Sequence, residues 1–252
     1  MTKIRVFQKF MFWVAAMSAI ASPFVLSQSS LATRVTFPSF NNQNDSGLED
    51  PGRPTSQSSG GRRTMCGLVE PALTALIPKH ARGLTLTETP TFWFYVPYAV
   101  EQAHRLEFQI LDSKNKRLYR TSFTLPQNSN LVSLTLPATH PLKSEETYIW
   151  AFSVYCNPQI PNAFANVGGL IKRPNLSVSL QQQIEQAQTL QEKAIVYANH
   201  KIWYDALNSL AQLRCQEPEN ALIQADWQEA LKSVEGLEAV AEKSELQCYS
   251  HQ

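Results

Sequence analysis

Between Cys66 and Arg173, large apolar residues recur at every second position in short runs separated by turn residues. Leu106, Phe108 and Ile110 alternate with Arg105, Glu107 and Gln109. Val132, Leu134 and Leu136 alternate in the same way with Leu131, Ser133 and Thr135, as in strands with one face turned to a core. The runs LTALIP, TFWFYVP, RLEFQILD, KRLYRTSFTLP, LVSLTLP, TYIWAFSVYC and GGLIKRP predict an all-β sandwich of about seven strands over residues 64–175. One run breaks the alternation: in TFWFYVP, Phe92, Phe94 and Val96 would point one way and Trp93 and Tyr95 the other, so both faces need cover. PLKSEETYIWAF sets Leu142 six residues before Tyr148, similar to the tyrosine corner of immunoglobulin and fibronectin type III sandwiches, which makes Tyr148 and Trp150 corner and core residues.

From Leu176 the apolar period becomes helical. Leu190, Ala194, Tyr197, Ala206, Leu210 and Pro218 fall at the offsets of one tetratricopeptide repeat; Trp227 and Leu231 supply the stripe of a capping helix, and Leu237 to Lys243 a short further one. A single repeat of this kind cannot bury its own apolar face. Residues 176–252 are therefore expected to pack on the sandwich, covering Trp93 and Tyr95 through Trp203, Tyr204 or Trp227. The expected fold class is α+β: an immunoglobulin or fibronectin III-like sandwich followed by a tetratricopeptide-like hairpin with a capping helix.

The first residues order the N-terminus differently. Lys3, Arg5 and Lys9 precede an apolar run from Phe10 to Leu26, with Ser30 and Ala32 as small residues after it, which reads as a signal peptide over 1–32. Cleavage near Thr33, cleavage at Ala19 to Ala21 and retention as an anchor are the three outcomes. Residues 33–63, with NNQNDSGLEDPGRPTSQSSGGRR poor in large apolar groups, read as a disordered linker. Loss of three basic residues and no acidic one turns a formal charge of +1 slightly negative, and no basic face for nucleic acid is implied. Four cysteines, Cys66, Cys156, Cys215 and Cys248, an even number without close pairs, favour two disulfides in an exported protein over a metal site. Pairing Cys66 with Cys156 and Cys215 with Cys248 keeps each bridge within one expected part.

No catalytic motif appears. The five histidines, His80, His104, His140, His200 and His251, form no HxH or HExxH spacing, and there is no GxSxG, P-loop or GxGxxG. Gly168 and Gly169 read as a bulge opening the last strand. Asp112 reads as a hairpin turn residue, and Asp205 and Asp226 fall on helices without a paired carboxylate. No cofactor is implied.

The strings GRRTMCG, LTALIP, LTLTETPTFWFYVPY, YIWAFSVYC and IWYDALNSLAQLR, spread over Gly61 to Cys248, resemble the cyanobacterial secreted family called domain of unknown function 928. That family often ends in adjacent cysteines, whereas Tyr249 follows Cys248 here, which favours the Cys215–Cys248 bridge. The resemblance implies export, to periplasm or medium, and no activity. Two functions fit: a non-enzymatic binding or assembly module engaging a polypeptide partner in the cell envelope, or a small-molecule or sugar-binding protein, enzymatic or not, with a pocket built from Thr91–Tyr98 and Trp203. Trp93, Tyr95, Tyr98 and Trp203 are thus candidates for either a ligand face or a packing face.

Overall fold

A computed structural model describes residues 34–38, 56–59, 66–125, 129–160, 162–243 and 247–251. The expected signal peptide lies outside the described residues, as does most of the expected linker. The fold is α+β, with two mixed sheets followed by helices. The four-stranded sheet runs β1(Thr74–Ala75), β3(Thr91–Tyr95), β6(Leu131–Thr135), β9(Cys248–His251). The five-stranded sheet runs β2(Arg82–Leu84), β8(Phe164–Lys172), β7(Thr147–Tyr155), β4(Arg105–Asp112), β5(Arg117–Phe123). Two pairings are parallel, β2 with β8 and β6 with β9; the others are antiparallel.

The alternation read from the sequence is what the sheets use. Phe108 on β4 and Trp150 and Phe152 on β7 meet Phe92 and Phe94 on β3, with Phe94 stacked on Phe152 at 4.0 Å, so the inner faces form an aromatic core. The β4–β5 hairpin turns where Asp112 Oδ1 accepts from the Lys114 and Lys116 N–H groups, with Asn115 at positive φ.

Five helices follow: α1(Val178–Gln186), α2(Leu190–Asn199), α3(Trp203–Gln216), α4(Ala221–Lys232) and α5(Glu238–Ala241). Their starts follow local chemistry. Ser177 and Asn220 cap α1 and α4 through their side chains, and Thr189 with Glu192 forms a capping box on α2. Ala194 and Ala206 are fully buried where α2 and α3 approach. Residues Arg34 to Gln252 form one compact unit.

Three features depart from the sequence reading. The C-terminal part is not helical to its end: Cys248–His251 is a strand, parallel to β6, and His251 stacks on Phe123 of β5 at 4.1 Å, so this strand joins the edges of the two sheets. Gly168 and Gly169 do not open the last strand. They lie in the middle of β8 in unbroken register with β7, and a Cβ on Gly169 would sit 2.5 Å from the Ala81 carbonyl and 2.8 Å from the Trp150 ring, so close approach demands glycine there. The described stretches of the expected linker are packed. Val35 and Phe37 are buried, Arg34 pairs with Asp226, and Ser56 bridges Gly168 while Ser58 bridges Thr74. Unpaired sheet edges present N–H and C=O groups that accept an extended segment of polar composition, so Ser56–Ser59 links both sheets along one edge. Gln57 drives this home, its Nε2 donating to Ile77 O and Glu235 O.

Candidate functional site

The four aromatic candidates are all buried. Trp203 Nε1 donates to Leu76 O at 2.8 Å. Trp93 Nε1 donates to Asn208 Oδ1 of α3 at 3.1 Å, so the outer face of β3 is covered by the helix and not displayed. Tyr204, which immediately follows Trp203, reaches the inner core: its hydroxyl accepts from Trp150 Nε1 at 2.8 Å and donates to Leu170 O at 3.3 Å, and its ring lies 5.4 Å from Phe92. Burial pushes the Tyr204 pKa upward and keeps the hydroxyl protonated.

Beside it, Asp205 holds the chain after β2. Its carboxylate accepts from the Leu86 N–H at 3.1 Å and from the Thr85 hydroxyl. Burial dominates over these bonds and pushes the carboxyl up to about 6 from an ordinary 3.8. The folded state therefore binds this proton more tightly than the unfolded chain does. The associated stability is complete below pH about 4 and is lost as pH rises through about 6. Asp205→Asn is expected to gain about 2–3 kcal/mol relative to the parent between pH 4 and pH 7.5, read by urea unfolding at both values. A difference between the two proteins that does not change with pH would show that the carboxyl titrates normally.

One feature open to solvent at the sandwich surface combines an edge strand with a groove. β5 pairs with β4 on one side only and has seven residues, most of them exposed or half-buried. The other edge strands, β1, β2 and β9, have two, three and four residues. Beside β5 lies a groove of about 360 Å³, with Leu118 and Tyr119 of β5 as one wall and Leu136, His140, Pro141 and Leu142 as the other. The Tyr119 and His140 rings are 5.1 Å apart. Lys116, Asp112, Lys143 and Glu146 stand around this apolar wall. The loop that builds the far wall is fixed from behind: Arg173 donates to Leu142 O and Leu86 O and pairs with Glu88, and the Tyr148 hydroxyl accepts from Lys143 N at 2.9 Å. Leu118, 37% exposed, is one of the few large apolar side chains left open.

Sequence reading did not single out this site. Leu118, Tyr119 and His140 are unremarkable one by one, and only the loop between β6 and β7 brings them together. Among the described residues, no three His, Cys, Asp or Glu side chains gather as a metal site, and no helix is long and apolar enough to cross a membrane. The four cysteines form two disulfides, Cys66–Cys156 and Cys215–Cys248, bonds that form and persist in oxidising compartments. A family model described as Domain of Unknown Function (DUF928) matches residues 58–245, most of the chain. No curated protein matches it.

Proposed function

We propose that this chain, which belongs to the DUF928 family, is an exported, non-enzymatic binding or assembly module that takes an extended polypeptide partner in the cell envelope along β5. The observation that carries this reading is that β5 pairs with β4 alone, beside a groove whose wall it supplies at Leu118 and Tyr119, while only its far end, at Thr121 and Phe123, is met by His251 of β9. In strand addition, main-chain hydrogen bonds provide affinity and pockets for alternate side chains provide specificity. The groove beside Leu118 and Tyr119 is such a pocket, sized for a large apolar side chain, and the Lys116 and Arg117 end of the strand favours an acidic flank on the partner.

The same reading takes the architecture as immunoglobulin or fibronectin III-like, supported by the strand order of the two sheets and by the Tyr148 hydroxyl bonded back to Lys143 N. It takes α2 and α3 as a tetratricopeptide-like hairpin, supported by buried Ala194 and Ala206 at their contact. Export by a cleaved leader rests on the basic and apolar order of the first residues and on the two disulfides. A cyanobacterial source rests on the resemblance of the quoted strings alone.

The test is site-specific photo-crosslinking in the envelope from position 118, with exposed position 222 as the control. An identified polypeptide is expected to crosslink from 118 and not from 222. Leu118→Asp, checked by its melting temperature to be folded as the parent is, should then weaken its binding to the purified protein at least about tenfold. A partner that crosslinks equally from both positions, or binds Leu118→Asp unchanged, would sink the proposal.

A further inference from the structure

A second groove, of about 240 Å³, lies between α3 and the outer face of the four-stranded sheet. On the sheet side, Trp93, Ser133 and Ser250 stand in one register row across β3, β6 and β9, with Thr91 opposite Thr135 in the next. The helix side is a single stripe, Asn208, Gln212 and Gln216, spaced four residues apart so that all three face the sheet. Cys215 also lines the groove, and its bridge to Cys248 ties the helix to the sheet.

The chemistry of this lining is unusual for a surface cleft. None of its side chains ionises: it consists of hydroxyls, carboxamides, one disulfide sulfur and one indole. The hydroxyls bond in pairs, Thr91 with Thr135 at 2.9 Å and Ser133 with Ser250 at 2.8 Å. One O–H in each pair serves the other member; the threonine pair keeps a further O–H, whereas Ser133 Oγ donates to Tyr249 O, so the serine pair offers only lone pairs. Asn208 spends its oxygen on the Trp93 N–H and keeps two amide N–H groups. The Gln212 and Gln216 carboxamides make no side-chain hydrogen bond among the described residues.

We infer that this groove is a binding site for one ring of a neutral saccharide. A charged ligand would lose water there without meeting a counter-charge. A neutral polyol instead alternates donors and acceptors as the groove does, above a floor closed by the edge of the buried Trp93 indole. The volume lies below the roughly 300–1,000 Å³ of clefts that engulf drug-sized ligands, so one ring enters and the remainder of a glycan runs out along the helix. The site is on the opposite sheet from β5 and does not depend on the polypeptide reading.

The experiment is calorimetric titration of the full exported chain with cellobiose, maltose, xylobiose and N,N′-diacetylchitobiose, against glucuronic acid and glucosamine as charged counterparts. At least one neutral disaccharide is expected to bind saturably with a Kd of about 1 mM or tighter, and the charged sugars at least about tenfold more weakly. Gln212→Ala and Gln216→Ala, each on the half-buried or exposed side of α3, should each weaken that binding about fivefold or more with the melting temperature unchanged. The inference is overturned if no neutral disaccharide binds below about 10 mM. It is equally overturned if charged and neutral sugars bind alike, or if the two glutamine variants bind as the parent does.

Discussion

Trp203→Ala is expected to destabilise the protein by about 3–5 kcal/mol, the usual range for truncating a fully buried large aromatic residue. Trp203 has no exposed surface, and its ring meets Phe37 edge-on at 5.6 Å while its Nε1 donates to Leu76 O. Three stretches distant in sequence therefore converge on one side chain: the N-terminal segment, the loop after β1 and the start of α3. Truncation leaves a cavity and an unpaired buried carbonyl, and each adds to the loss. Trp203→Phe restores much of the volume and none of the hydrogen bond, so it should fall between the parent and Trp203→Ala. Urea unfolding followed by far-ultraviolet circular dichroism measures both. A loss below about 1 kcal/mol for Trp203→Ala would mean that α3 is not held to the sandwich through this residue.

Removing the disulfides should have effects of the same order. Cys66–Cys156 closes a separation of 90 residues, worth about 4–5 kcal/mol in the chain-entropy account, and Cys215–Cys248 one of 33, worth about 3–4 kcal/mol. For a chain of this size the first corresponds to a fall in melting temperature of at least about 10 °C. The two differ in where the loss appears. Cys66–Cys156 joins the approach to β1 to the end of β7, so the paired serine variant should unfold as one unit at lower denaturant. Cys215–Cys248 joins α3 to β9, a four-residue strand at the edge of its sheet that pairs with β6 alone. Cys215→Ser with Cys248→Ser should therefore also raise amide exchange at Tyr249 and Ser250 well before global unfolding. If neither pair of substitutions lowers the melting temperature by more than about 3 °C, the bridges contribute little to the folded state in solution.

Much of this architecture is legible along the chain because it rests on local periods. The alternation at Leu106, Phe108 and Ile110 and at Val132 and Leu134 marks strands whose inner faces are indeed buried. The double-sided apolar run Phe92 to Tyr95 signals a strand covered on both faces, and an even count of cysteines signals disulfides. β2 and β9 leave no such trace. RGL and CYSH are too short to show a period, and each becomes a strand only because the edge of β8 or β6 is there to pair with. Gly168 and Gly169 read as a bulge from composition, whereas their role comes from Ala81 and the Trp150 ring, neither of them a sequence neighbour.

The coverings and the grooves are of the second kind. Large aromatic residues on the helices suggest themselves as the cover for Trp93, yet its indole N–H is met by Asn208, a polar residue with no distinguishing pattern. Leu118 and His140 form one groove, and Gln212 and Ser250 another, only after loops and a parallel C-terminal strand have carried them across the fold. The sequence alone determined the longer strands and helices and which of their faces must be buried, because those follow from side-chain spacing within a few residues. Tertiary structure decided which edge stays open, which polar groups meet and what the clefts can bind, because hydrogen bonds and cavities depend on distances between residues whose separation along the chain carries no information about their separation in space.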